Sequence, residues 1–231
     1  MWADSRPLRE RPDRFDFHSH TYLTDGSSSA TDMWRHADRL LHRALAITDH
    51  IGLEDPRPLL RRLHEESRAW EGSPMVTLIG VEISQVPPRY IASVARGARK
   101  AGAEIVIVHG ETVVEPVAEG TNRAAIEATE VDLLAHPGLL SLKDAELAHA
   151  HDTVLELSAR RGHSLGNGLV ARRAVEAKAD LVVDSDAHDP EQLVPYELAR
   201  RIAVGAGLSV AATTSALREA PRRLLRRCRG R

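Results

Sequence analysis

The chain has 231 residues, 42% of them hydrophobic, a net charge of −2 and one cysteine, Cys228. That length suits one large domain or two small ones, and the apolar content excludes wholesale disorder. A near-neutral charge argues against a generally basic nucleic-acid-binding surface, and a lone cysteine excludes an intrachain disulfide or a cysteine-built zinc site.

The opening stretch, "MWADSRPLRERPDRF", has no apolar run suited to a signal peptide. No later segment approaches a membrane span of roughly 18 apolar residues, so the chain reads as soluble and cytoplasmic. Strand candidates follow in order: "RFDFH", "ALAITDH", "MVTLIGVEIS", "EIVIVHG", "VDLLAHPG", "TVLELSA" and "DLVVDSDAH". Amphipathic segments at 29–42, 56–70, 87–101, 122–128 and 168–179 lie between them. Ser29 or Thr31 is expected to cap the first, and Pro87–Pro88 suits the opening of the third. Strands alternating with helices predict a parallel sheet with helical crossovers. No low-complexity linker interrupts the pattern, so 1–231 reads as one domain with a core over about 14–206. The basic tail, 207–231, ends in "PRRLLRRCRGR" and is expected as a solvated final helix with a frayed terminus.

Twelve histidines are the compositional oddity. His36, His42, His64, His149 and His151 fall in polar helical stretches and are expected at the surface. Others end apolar runs. His18 and His20, two apart in "HSH", project from one face of a strand end. Asp25 follows in "TDG". "ITDH" ends in Asp49 and His50, "GVEIS" near Glu82, "VHGE" at His109, "AHPG" at His136 and "DSDAH" at Asp186 and His188. An open sheet gathers ligands at one crevice served by few strands. Only a closed barrel brings so many strand ends around one point, where barrel enzymes place their active sites. The expected fold is therefore α/β, a distorted barrel.

Each fragment alone is weak. An isolated H-x-H is incidental in most strands, and Asp49 is as good a turn cap as a partner to a histidine. Burying so many ionisable groups together without a metal is costly, however. They are also too many for one tetrahedral ion. Imidazole with carboxylate suits zinc, manganese or iron, so two or three divalent ions are expected. Glu82 is placed to bridge two of them around an activated hydroxide.

The ordered motifs "DFHSHTYLTDG", "AITDH", "GVEIS", "VHGET", "LAHPG" and "DSDAH" resemble the polymerase-and-histidinol-phosphatase (PHP) family, from about 15 to 205, and most of all its stand-alone histidinol-phosphatase-like hydrolases. The resemblance implies a distorted (β/α)7 TIM-like barrel and three metal sites. His18, His20, Glu82 and Asp186 would hold the first, Glu82, His109 and His136 the second, and Asp25, His50 and His188 the third. Some members carry a histidine where this chain has Asp25. The resemblance further implies a phosphoric ester hydrolase acting on a small phosphate monoester: histidinol-phosphate-like, a nucleotide or a sugar phosphate. Glu82, His109, Asp186 and His188 would serve as catalytic residues, with a metal-bridging hydroxide as nucleophile.

After the sixth strand, "ELSARRGHSLGNG" should line the same mouth. Arg160 or Arg161 is expected to grip a phosphate, and His163 to donate to it or protonate a leaving oxygen. Ser164 and Asn167 precede a helix whose first amides suit an anion. The polar segment "VHGETVVEPVAEGTNR", with Glu111, Thr121, Asn122 and Arg123, reads as a loop over the mouth. Two rivals remain. An amidohydrolase-type barrel also opens with H-x-H, but "EIVIVHG" lacks the lysine such enzymes often use. A PHP-type nuclease acting on nucleic-acid ends, or a barrel turned binding scaffold, would need more than a basic tail and 3% aromatic residues. Nucleic acid is thus a less favoured partner than a small phosphoester.

Overall fold

The computed structural model describes residues 12–230, and the opening segment 1–11 lies outside the described residues. Eight strands are formed: β1 Phe15–Asp16, β2 Ala44–Ile47, β3 His50–Ile51, β4 Val76–Ile83, β5 Ile105–His109, β6 Leu133–Ala135, β7 Val154–Ser158 and β8 Leu181–Asp184. β2 and β3 are one run broken at Thr48–Asp49, and both pair with β4. The sheet order is β1-β2-β4-β5-β6-β7-β8, parallel throughout. That makes a nearly closed barrel of seven parallel strand positions, the distorted (β/α)7 TIM-like fold expected from the sequence.

Strand pleating decides which residues face the barrel interior. Ala44 and Ala46, Ile105 and Ile107, Leu133 and Ala135, Val154, and Val182 share an inner apolar cluster. Their alternating neighbours, Leu45, Ile47, Val106, Val108, Leu134, Leu155 and Val183, pack outward against the helices. Both faces are buried, as parallel sheets require. Continued along each strand, the inner parity reaches Glu82 from Leu78 and Gly80, and His109 from Ile105 and Ile107. The same parity gives Glu156 from Val154 and Asp186 from Val182 and Asp184. Gly80 has its own reason to be glycine, since a Cβ there would lie 2.3 Å from the Ile105 carbonyl oxygen.

Closure between β1 and β8 depends on side chains more than on a ladder. Beyond a single parallel bridge between Ser19 and Ala187, Asp184 Oδ1 accepts from Phe17 N at 2.9 Å and Asp16 Oδ1 from Ser185 N at 3.0 Å. Arg14, 1% exposed, donates to the Val194 and Val183 carbonyls and to Asp16.

Two expectations need correction. His42 is not a surface residue. The first helix, Ala30–Arg39, is capped by Ser29 and stops short of it; Leu41 turns at φ +63°, and His42 folds under the barrel, fully buried. Nor is the final helix simply solvated, over its described residues. Ala220–Arg229 is a helix whose Leu224 and Cys228 complete the inner apolar cluster. Three of its arginines, and Arg218 just before it, are tied to carboxylates of the barrel: Arg218 and Arg222 to Asp13, Arg223 to Asp180, Arg227 to Asp132. "RRLLRRCR" reads as a basic stretch, yet Leu224 and Cys228, four apart, lie on one helical stripe with Leu225 packed beside them. Among the described residues, no helix is long and apolar enough to cross a membrane.

If the final helix seals the barrel, Leu224→Ala should cost about 2–4 kcal/mol, the usual cost of a buried leucine truncation, in urea unfolding followed by circular dichroism. A loss below about 0.5 kcal/mol, within the range of surface substitutions, would make the helix a loose appendage after all.

Candidate metal centre

At the end of the barrel opposite the final helix, the ionisable inner positions meet. Glu82, 1% exposed, stands at their centre with its two oxygens turned to different partners. Oε2 lies 3.3 Å from His18 Nε2, 3.5 Å from His20 Nε2 and 3.0 Å from His50 Nδ1. Oε1 lies 3.4 Å from His109 Nδ1 and 3.6 Å from His136 Nε2. Asp186, just beyond β8, repeats the pattern: Oδ1 is 3.7 Å from His18 Nε2 and 3.5 Å from His20 Nε2, and Oδ2 is 3.7 Å from His136 Nε2. Further out, Asp25 Oδ2 is 3.4 Å from His50 Nε2 and 3.0 Å from His188 Nε2.

Local backbone explains how these side chains arrive. The cluster contains two non-glycine residues with left-handed backbone, His136 at φ +27° and Asp186 at φ +49°, each at a strand-to-loop exit. Gly138, at φ +61°, must be glycine because a Cβ would strike the Glu111 carbonyl oxygen at 2.0 Å. Asp49 resolves as a clamp, accepting from Thr21 N, Thr21 Oγ1 and Thr24 Oγ1, each at 2.7 Å, and so shaping the loop that carries Asp25.

The electrostatics show what the cluster lacks. Buried polar atoms normally find partners, yet His18 Nε2, both ring nitrogens of His20, both oxygens of Glu82, and His109 Nε2 are buried without a hydrogen bond. Burial alone would depress His18 and His50, but the surrounding carboxylates outweigh it. Asp186, Glu156 and Glu82 hold His18 well above its ordinary value, and Glu82 with Asp25 pushes His50 up to about 10. The imidazoles in turn keep Glu82 and Asp186 well below the usual carboxylate range, against the burial that would raise them. His20 is the exception: burial lowers it to about 4, with His18 and His50 adding to the effect. Among the described residues, five groups present ligand atoms all within 4.8 Å of one another: His18, His20 and Asp186; Glu82, His109 and His136; His20, Asp25, His50 and His188; His18, His136 and Glu156; and His136, His163 and Asp186. Donor atoms that are orphaned, buried and convergent fit divalent cations.

Of the residues expected on the substrate side, the structure brings in Arg160 and His163. The half-buried Arg160 guanidinium contacts His188 Nδ1 and lies 3.8 Å from Asp186 Oδ2. His163 is buried and stacks on His136, with ring centroids 4.1 Å apart. Its Nδ1 is hydrogen-bonded with Thr112 Oγ1 at 2.8 Å, and its Nε2 is 4.0 Å from Asp186 Oδ2. Arg161 reaches only the rim, on a cleft of about 790 Å3 shared with Asp25, His188 and Leu198. Ser164 is exposed on the turn His163–Gly166. Asn167 is a correction: its carboxamide is used up on the Ser158 backbone, accepting from N at 3.1 Å and donating to O at 2.9 Å, so it faces no ligand. Glu111 and Asn122 likewise brace their own loop, Glu111 Oε1 accepting from Gly120 N and Asn122 N while Asn122 donates to Pro137 O.

One residue escaped sequence reasoning. Glu156, fully buried in the middle of β7, accepts from His18 Nδ1 at 2.8 Å and from His136 N at 2.7 Å. The signal was a glutamate at an inward position of "VLELS", among apolar neighbours.

No family model matches the chain. Among solved structures, the histidinol phosphate phosphatase of Lactococcus lactis, complexed with zinc, L-histidinol and phosphate, shares the fold. It has a TM-score of 0.61 and 13% identity over 85% of this chain and 95% of that one. An amidohydrolase from a Sargasso Sea environmental sample does so with a TM-score of 0.55 and 11% identity, over 94% of this chain and 66% of that one. In sequence the likeness is nearer: the Methanocaldococcus jannaschii protein MJ1295, described as uncharacterized, is 40% identical over 218 residues, 93% of this chain and 99% of that protein. The chain belongs to the family of MJ1295.

Proposed function

We propose that the chain is a metal-dependent phosphoesterase of the PHP type, hydrolysing a small phosphate monoester. The observation that carries this reading is the division of labour on Glu82. Its two buried, unpartnered oxygens face two separate sets of histidines, as a carboxylate shared by two cations must. His18, His20, Glu82 and Asp186 would hold one ion, Glu82, His109 and His136 a second, and Asp25, His50 and His188 a third. Such ions, when bound, supply Lewis acidity to phosphoryl oxygens and make water acidic near neutral pH.

The chain's own residues do the rest. Arg160, beside Asp186 and His188, offers planar donors that match a phosphoryl group. Burial and the neighbouring His136 lower His163 to about 4, so it is neutral at physiological pH. With Thr112 on Nδ1, its Nε2 side is the one turned toward a ligand at Asp186, suited to donating a hydrogen bond more than a proton. Zinc with phosphate in a protein of the same fold supports the reading. The amidohydrolase alternative is weakened by the lysines: Lys100 and Lys143 lie on outer helices and Lys178 ends one. The nuclease alternative is weakened by the tail, whose arginines are paired with barrel carboxylates on the far side from the cluster.

Metal analysis of chelator-free protein together with phosphate release from a panel of mono- and dinucleotides, sugar phosphates and histidinol phosphate tests this directly. Two to three ions per chain with phosphate release is expected; ions with amide or lactone hydrolysis instead would favour the amidohydrolase alternative. His18→Ala and Glu82→Ala should each lower turnover by at least ~10²-fold, as when a preorganised electrostatic group is lost, with the fold intact by circular dichroism. His36→Ala should stay within about twofold, since His36 is half-exposed on the first helix. Equal damage from all three substitutions would refute this site.

Ion uptake should also expel protons. In the metal-free protein His18 and His50 are raised and so protonated at pH 7, whereas a ligand must be neutral. Affinity should therefore rise with pH from neutrality toward about 10. Calorimetry in two buffers of different ionisation enthalpy should show proton release at pH 7. Uptake without proton release would mean that these imidazoles are not the ligands.

A further inference from the structure

We infer that Glu156 is a positioning residue common to two of the metal sites, a single carboxylate that fixes the ligating face of His18 and the backbone that carries His136. The inference rests on the metal-centre reading above, which does not itself assign Glu156. The residue sits at an inward position of β7, fully buried, where the barrel otherwise places Val154, Ile107, Leu133 and Ala135. An unmatched carboxylate there would be costly. Its two oxygens are matched separately: Oε1 accepts from His18 Nδ1 at 2.8 Å and Oε2 accepts from His136 N at 2.7 Å.

The two bonds do different things. By holding a proton on His18 Nδ1, Glu156 makes Nε2 the nitrogen that gives up its proton to ligate, and Nε2 is the atom facing Glu82 and Asp186 at 3.3 and 3.7 Å. Carboxylates orient ligating histidines in this way, and losing one typically costs 10–100-fold in metal affinity. At His136 the bond goes to the main chain. That residue occupies φ +27°, a conformation non-glycine residues rarely adopt unless the surroundings impose it. The Glu156 bond ties down its amide and thereby sets where its Nε2 lies, 3.6 Å from Glu82 Oε1. One side chain thus governs a ligand on each side of Glu82.

Glu156→Gln is the sharpest probe. A carboxamide offers one oxygen and one NH2 group where two acceptors are needed. If its NH2 faces His18, the ring is driven to the opposite tautomer and Nε2 can no longer ligate; if it faces His136, the amide loses its acceptor. Titration of wild type, E156Q and Glu156→Ala with Zn2+ and with Mn2+, followed by calorimetry and metal analysis, should show at least one inner equivalent weakened by roughly 10–100-fold in E156Q and both weakened in E156A, which removes both acceptors. The third equivalent, at Asp25, His50 and His188, which Glu156 does not touch, should keep its affinity. Two-dimensional 1H–15N NMR of chelated wild type, which needs neither metal nor a folded variant, should show a slowly exchanging His18 Nδ1 proton and a protected His136 amide. E156Q should lose at least one of these.

Unchanged affinity in E156Q, or weakening of one equivalent only in E156A, would overturn the shared role while leaving the metal centre standing. A wild type that takes up no ion would overturn the metal centre, and the inference with it. Rapid exchange at both His18 Nδ1 and the His136 amide in wild type would remove the two bonds on which the inference is built.

Discussion

A parallel barrel has one inside, and each strand contributes to it at every second residue. Here that inner face changes character along its length: apolar from Ala46, Ile107 and Val182 downward, ionisable from Glu82, His109, Glu156 and Asp186 upward. The change is abrupt, one residue pair along each strand, and the rest of the molecule follows from it. Carboxylates and imidazoles packed this closely must be mutually neutralising. Against burial, the imidazoles hold Glu82, Asp186 and Asp25 below the usual carboxylate range, and the carboxylates in turn raise His18, His50 and His109. The apolar lower half needs a cover, and the stripe Leu224 and Cys228 supplies it.

The same constraint shapes the β1–β8 seam. β1 is only two residues long and carries His18 and His20 immediately beyond it. A long ladder with β8 would leave little freedom to aim those rings, so Asp16, Asp184 and Arg14 take over the closure. One guanidinium serves two buried carboxylates. Burial, then the Asp16 and Glu156 charges, raise Asp184 well above the ordinary carboxylate range. Burial raises Asp16 too, with Arg14 and Ser185 opposing it. The seam is therefore built from charged side chains bonded to the β1 and β8 backbones, immediately before "HSH" enters the site.

Much of this is legible in the sequence because pleating is a strict rule. A histidine or acid at the end of a β-branched run, in phase with its apolar positions, must point inward, and Glu82, His109 and Asp186 do. What was not legible breaks the local rule for a nonlocal reason. Glu156 sits among leucines, and only the rings arriving from β1 and the turn after β6 explain it. His42 lies in a polar helical stretch but belongs to the turn that follows. Asn167 looks like a cap facing an anion, yet its amide is taken by a strand nine residues earlier. The tail looks basic because its acidic partners, Asp13, Asp132 and Asp180, are scattered far away in sequence.

Burial separates the proposed sites into two kinds. His18, His20, Glu82, His109, His136 and Asp186 are nearly or fully buried, whereas Asp25 is 51% exposed and His50 27%. Ions held by the inner groups would lie out of contact with bulk water and exchange only when the barrel mouth opens. An ion at Asp25, His50 and His188 would face the cleft that Arg160 and Arg161 share. It would therefore be the one to meet an arriving phosphate and the first to leave. The carboxylate of Asp25 suits that position. It lies on a loop clamped by Asp49 and tolerates solvent, and screening there weakens any single ionic contact. Tight holding inside and ready exchange at the mouth thus follow from one gradient of burial across a cup built on six strand ends.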